Sequence, residues 1–309
     1  MNRVLCTVVA ALLGTLVGTG GHGQEAGWLL DDVFGETGRG RSELRDPVDL
    51  AFVDGGTLAV LDRSREAVVL FSEGGRWIKT LGGSRGEGEL GLRRPTGIAS
   101  DPQGRLWVVD SGNHRLVKLD LEGKVLDTVG SLGSAAGRFR HPTGLAFDGR
   151  GRLYVADTGN DRIQVFTAEG EYLAAWERRT GGRRDYLEKP VRLAYTDQAR
   201  GGLWVLNQDW TRLVLFDRDG TWVESREVPA VGEEAANLVG LAVEPVYYRM
   251  FLSDAVGGRI LVLDRRGGLM AEVTLPEGRF EPRGLAITRR MDILAADGAE
   301  ARVLKFRSR

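Results

Sequence analysis

Cysteine is close to absent from this chain. The one thiol is Cys6, so no disulfide framework can hold the fold and no Cys/His cluster can bind zinc. Histidine is nearly as scarce, with His22, His114 and His141 the three in 309 residues. A metal centre built from several imidazoles lacks its ligands. An excess of charge of one sign is also lacking: 42 basic side chains meet 43 acidic ones, for a formal charge of −1. That balance argues against nucleic acid as a partner. No nucleophile elbow and no phosphate-cradling glycine loop is found. Long apolar runs are missing with one exception, Val4 to Val17, which follows Arg3 and precedes the small residues Gly18 to Gly23. The run is too short to cross a bilayer comfortably and reads as a secretory signal peptide over residues 1–23. On that reading the mature chain, residues 24–309, is secreted or periplasmic and has no membrane span after cleavage. An uncleaved N-terminal anchor is the alternative.

What is abundant is glycine, 44 residues, and it is spaced regularly. Pro95-Thr-Gly-Ile-Ala leads through a polar turn to Leu106-Trp-Val-Val-Asp, a polar corner and Arg115-Leu-Val-Lys-Leu. Pro142-Thr-Gly-Leu-Ala leads in the same way to Leu153-Tyr-Val-Ala-Asp and Arg162-Ile-Gln-Val-Phe. The same grammar starts near Pro47, Pro95, Pro142, Pro190, Leu238 and Pro282, in steps of 48, 47, 48, 48 and 44 residues. A period of about 40–50 residues with four short strands per copy is that of propeller blades. The second strand of each copy is apolar throughout, as suits a strand covered on both faces.

The sixth copy ends after Arg302-Val-Leu-Lys-Phe and lacks a last strand. Trp28-Leu-Leu-Asp-Asp-Val-Phe-Gly resembles the last strands Trp77-Ile-Lys-Thr-Leu-Gly and Val125-Leu-Asp-Thr-Val-Gly. The expected fold is therefore all-β: a six-bladed β-propeller, monomeric, whose ring is closed by an N-terminal strand pairing into the last blade.

The Pro-Thr-Gly-Leu-Ala and Leu-Tyr-Val-Ala-Asp-Thr-Gly-Asn-Asp-Arg-Ile elements resemble the NHL repeat, over roughly residues 28–307. The resemblance implies the propeller, but one scaffold hosts many functions. Some propellers of this kind are amidating lyases with several axial histidines, which this chain does not supply. Lactonase-type propellers hold one divalent ion on axial carboxylate and Asn oxygens. Asp49, Asn207 and Asp209 would be the candidates here, with Arg192 close by to repel a cation. No metal ligand set and no cofactor is assigned, a single divalent ion on the channel axis being the one addition the pattern leaves room for.

Features present in nearly every copy are expected to fix the blade. These are the corner pairs Asp110, Asn113 and Arg115; Asp157, Asn160 and Arg162; Asp254 and Arg259; Asp297 and Arg302. In each, a carboxylate caps a turn and takes a guanidinium. Departures from the repeat carry more information about function. Asp49 and Arg192 replace the first-strand glycine and belong on opposite walls of the channel mouth. Arg178, Arg179, Arg183, Arg184 and Tyr186 lie in the loop leading to blade four, and Asn207 and Trp210 at that blade's corner. Arginine with Tyr and Trp is the composition of an interaction surface. In blade five, Tyr247 and Tyr248 are expected to pack against the far end of the ring. These residues together point to an exported, non-catalytic binding module for a protein segment or an envelope polymer. The alternative is a metal-assisted hydrolase or lyase acting at the channel mouth.

Overall fold

The computed structural model describes residues 27–35, 42–53, 56–83, 90–177, 187–197, 202–208, 212–229 and 237–308. The expected leader, residues 1–23, lies outside the described residues. Six four-stranded antiparallel sheets follow one another around a ring. Each runs from an inner strand, such as Gly97–Ser100, through Leu106–Asp110 and Arg115–Leu119 to an outer strand, Val125–Val129. The sixth sheet takes its outer strand from the start of the chain. Trp28–Phe34 pairs antiparallel with Arg302–Ser308, Trp28 opposite Ser308 and Phe34 opposite Val303. This is the closure read from the sequence. Two single-turn 3-10 helices, Ser111–Asn113 and Thr158–Asn160, are the helical segments among the described residues.

The apolar pattern explains why the sheets stack. Second strands such as Leu106–Asp110, Leu153–Asp157 and Met250–Asp254 are buried at every position. Outer strands such as Val125–Val129 are exposed or half-buried along their length. The core is accordingly divided into six layers, each between two successive blades. One layer joins Val48, Leu61 and Val68 of blade one to Ile98, Leu106 and Val117 of blade two. Another joins Leu294 and Val303 of blade six to Leu58, Val69 and Phe71 of blade one, and so closes the circle. The rings of Phe34 and Phe71, 5.2 Å apart, cross the same junction.

The apolar residue three places before the first four anchors is a plug for these layers: Leu44, Leu92, Phe139 and Leu187 are all buried. Each needs room at the end of an outer strand. A Cβ on Gly130, whose φ is +94°, would stand 2.4 Å from the Phe139 ring. Only glycine combines that backbone with that space.

Candidate binding site at the channel mouth

The first-strand position after each anchor lines the axis of the ring. In four blades it is glycine, and the reason is lack of space. A Cβ on Gly97 would stand 2.7 Å from the Thr143 carbonyl oxygen, on Gly144 2.6 Å from that of Val191, and on Gly284 2.4 Å from the Asp49 Cα. The inner strands therefore converge until backbone nearly touches backbone. At this level the channel is narrow, unlike the roomy, wet passage a propeller axis suggests. Asp49 and Arg192 stand at the same position in blades one and four, each beside a register shift of its inner strand, Pro47/Asp49 and Pro190/Arg192. A bulge re-aims the side chain that follows it.

The two side chains are held by backbone groups of the ring. The Arg192 guanidinium donates from Nε to the Val239 carbonyl at 2.7 Å and from Nη1 to the Thr96 and Thr143 carbonyls at 3.2 and 3.5 Å. The Asp49 carboxylate accepts the Ile98 N–H at 3.0 Å. Burial raises the Asp49 pKa, opposed by the Arg192 charge and by the N–H groups of Ile98 and Leu50.

Together with three hydroxyl groups and one ion pair these two residues staple all six junctions near the axis. Thr96 Oγ1 donates to the Thr143 carbonyl at 2.9 Å and Thr143 Oγ1 to that of Val191 at 3.1 Å. Ser253 Oγ donates to the Arg283 carbonyl at 2.6 Å. Arg283 in turn reaches the Asp46 carboxylate of blade one. Sequence reasoning missed Thr96, Thr143 and Ser253, although the repeated Pro-Thr-Gly was a signal. A hydroxyl beside an obligatory glycine has a neighbour's carbonyl within reach.

The corner pairs lie on the same face, further from the axis. Asp157, fully buried, accepts the Arg140 N–H at 2.8 Å, Asn160 Nδ2 at 2.8 Å, Arg162 Nε at 2.7 Å and Gln164 Nε2 at 3.0 Å. Arg162 then donates to the carbonyls of Ala135 and Arg138, both at 2.9 Å. The pair thus ties down the loop that leads into its own blade. Asp110 with Asn113 and Arg115 repeats this in blade two. Asp254 with Arg259 and Asp297 with Arg302 keep the carboxylate–guanidinium bond, at 3.0 and 2.9 Å. In blade four Asn207 occupies the corner aspartate's place and is buried. It is therefore not presented to a ligand alongside Asp49 and Arg192. Arg178, Arg179, Arg183, Arg184, Tyr186, Asp209 and Trp210 lie outside the described residues. Tyr247, expected to pack, is 66% exposed, with the Arg249 guanidinium 5.4 Å from its ring centre.

Two adjoining hollows open on this face. A pocket of about 330 Å³ sits over the axis, lined by Thr96, Thr143, Arg192, Val239 and Arg283. A larger cleft of about 730 Å³ runs from Asp46 and Arg63 past Arg93 and Arg94 to His114 and His141. Arg63 and Thr96 line both. Burial raises Asp46, but hydrogen bonds and charge from Arg63 and Arg283 outweigh it and hold the carboxyl below its usual range. His114 is shifted down by burial and by the nearby His141, Arg140 and Arg93.

The axial residues do not fit a divalent ion of the lactonase kind. The Arg192 guanidinium occupies the Thr96, Thr143 and Val239 carbonyl oxygens and its charge acts on the Asp49 carboxylate, and a fixed cation there opposes a second one. Among the described residues no group of three or more His, Cys, Asp or Glu side chains is placed to hold a metal ion. Among them, too, no helix is long and apolar enough to cross a membrane.

Comparison with solved structures agrees with the fold. A streptogramin B lyase superposes with a TM-score of 0.61 at 14% identity, over 86% of this chain and 95% of that one. A gluconolactonase from Xanthomonas campestris gives 0.65 at 16%, over 86% and 87%. A catalytically inactive virginiamycin B lyase from Staphylococcus aureus with quinupristin gives 0.60 at 12%, over 92% and 87%. At such identities the likeness is one of fold. No curated protein sequence matches significantly. The family model of the NHL repeat matches residues 92–119 and 139–166, the inner three strands of blades two and three with the turns that lead into them. The chain is a six-bladed propeller that carries NHL repeats in two of its blades.

Proposed function

We propose that the protein is an exported, non-catalytic binding module that recognises a protein segment or an envelope polymer on the face holding the channel mouth and the adjoining cleft. The observation that carries this reading is the use made of the axis. Asp49 and Arg192, the two polar departures at the narrowest point, are committed to backbone groups of blades two, three and five. They close the channel where a propeller enzyme would place its reacting centre. What stays open on this face is wide, polar and basic, which suits an extended partner.

The second reading, a metal-assisted hydrolase or lyase at the same mouth, is favoured by the lyase and gluconolactonase among the structural neighbours. The two readings part on metal. Elemental analysis of the exported, dialysed protein is expected to find no stoichiometric calcium or zinc. One equivalent of either, lost in an Asp49→Asn variant, would reverse the assignment. The binding reading is checked on arrays of peptides and envelope polysaccharides. A ligand should be retained unchanged, and its capture should fall in Arg94→Ala without a drop in melting temperature. A ligand released as a reaction product would sink the non-catalytic reading.

A further inference from the structure

We propose that the cleft between the corners of blades one and two and the turn into blade three is an oxyanion-binding site, taking a carboxylate, sulfate or phosphate group of the ligand. It rests on the binding reading above and gives that site its chemistry.

The repeat itself shows what is unusual here. In blade three the residue closing the corner turn is Asp161, whose carboxylate accepts the Lys189 N–H at 2.8 Å. In blade two the same position is His114, whose Nδ1 accepts the His141 N–H at 3.0 Å. The backbone is held in the same way, with φ of +57° at His114 and +52° at Asp161. The exchange therefore keeps the structural bond and removes a negative charge from the cleft.

It also fixes the tautomer. Because Nδ1 is an acceptor, the neutral ring carries its proton on Nε2, which is then a donor. The His141 ring, 4.5 Å away and edge to face, stands against it. Among the described residues, the charges of the cleft left outside ion pairs are of one sign. Arg93 and Arg94 are exposed and make no ion pair among the described residues, whereas the corner arginines Arg115 and Arg162 are bonded to carboxylates. The acid in the lining, Asp46, already accepts Arg63 and Arg283. Asp110, under His114, is spent on the Arg93 N–H, Asn113 and Arg115.

A cleft of about 730 Å³ lined by spare guanidiniums and a donor imidazole is a site for a planar or tetrahedral oxyanion, which arginine forks bind in a bidentate way. The groups that face His114 are His141 and Arg140 from the turn into blade three, Arg93 from the turn into blade two, and Asp110 from the second strand of blade two. Burial, and after it the balance of these charges, lowers its pKa in the free protein. An anion seated beside it supplies the missing countercharge and moves its titration upward.

The test follows the His114 and His141 rings by NMR during titration with sodium sulfate and with inorganic phosphate, the His141 ring reporting binding in variants that lack His114. Saturable shifts, with the His114 titration moved to higher pH, are expected. His114→Asp installs the residue that blade three uses and retains the fold. It should weaken anion binding by about tenfold or more, as should Arg94→Glu, through like-charge repulsion. Arg150→Glu, in an exposed turn at the other end of blade three, should leave binding unchanged. A polyuronate and a sulfated glycan then separate the carboxylate and sulfate sources, with dextran as the neutral control. No saturable shift with any anion, or equal binding by wild type and His114→Asp, overturns the oxyanion site. If a neutral ligand from the arrays still binds this face, the binding-module reading survives that failure.

Discussion

At the residue scale, the polar groups of this propeller are buried in complete sets, and each set shows what losing a member costs. Asp157 accepts four donors, among them Arg162, which is 5% exposed. Asp157→Ala leaves that guanidinium without its carboxylate and is expected to cost about 3–5 kcal/mol in urea unfolding. Asn in its place should cost less, because the acceptor for the Arg140 N–H remains. Arg192→Met should be comparably harmful, about 3–5 kcal/mol, since it strips the countercharge from Asp49 and frees three carbonyls. A double-mutant cycle with Asp49→Asn measures the shared part. The two axial-face carboxylates also set opposite pH trends. Asp46 is lowered from its ordinary 3.8, so it adds stability above that pH and loses it as pH falls through the lowered value. Asp49 is raised from 3.8, so its contribution is complete below that pH and fades as pH rises toward the raised value. In unfolding midpoints measured across the acid range, Asp46→Asn should flatten the acid limb. Asp49→Asn should remove the loss on the less acid side. A swap of those outcomes would reverse the assignment of the two burial environments.

At the element scale, the strand Trp28–Phe34 decides whether the ring exists as a ring. It supplies the fourth strand of blade six, seats the Trp28 ring edge-on against Phe251 at 5.8 Å and places Phe34 on Phe71. Deleting residues 28–35 exposes the edge of Arg302–Ser308 and opens the layer between blades six and one. The thermal midpoint should fall steeply and the protein should gain a tendency to aggregate. An unchanged midpoint would rule out closure by this strand. Elements were legible in the sequence to different degrees. The second strands announced themselves as solid apolar runs, and the corner aspartates and arginines by recurrence, because both depend on neighbours a few residues away. The glycines at positions 97, 144, 240 and 284 were visible as a pattern, but their cause was not. It lies in the approach of an adjacent blade, about 45 residues distant for the first three and at the other end of the chain for Gly284. For the same reason Tyr247 was expected to pack, although it lies open to solvent.

At the scale of the whole molecule, the core is six shared layers closed into a circle, so no blade can unfold without exposing a face of each neighbour. Unlike an open solenoid, where terminal repeats fray, the ring is expected to unfold as one unit. Tryptophans stand in blades one to four and in the closing strand of blade six. Fluorescence and far-ultraviolet circular dichroism should therefore give coincident transitions. By itself the sequence determined the all-β class, the count of six blades, their order and the strand that closes them. Each of these is written in local apolar periodicity and in its repetition. It also marked Asp49 and Arg192 as the departures that matter. Only the tertiary structure decided what those departures do. Whether two charges on facing blades meet a ligand or are taken up by the backbone of the ring depends on the width of the channel, which the convergence of six inner strands sets. In the same way, His114 lines a basic cleft because the corners of blades one and two and the turn into blade three come together in space, and no stretch of sequence contains that distance.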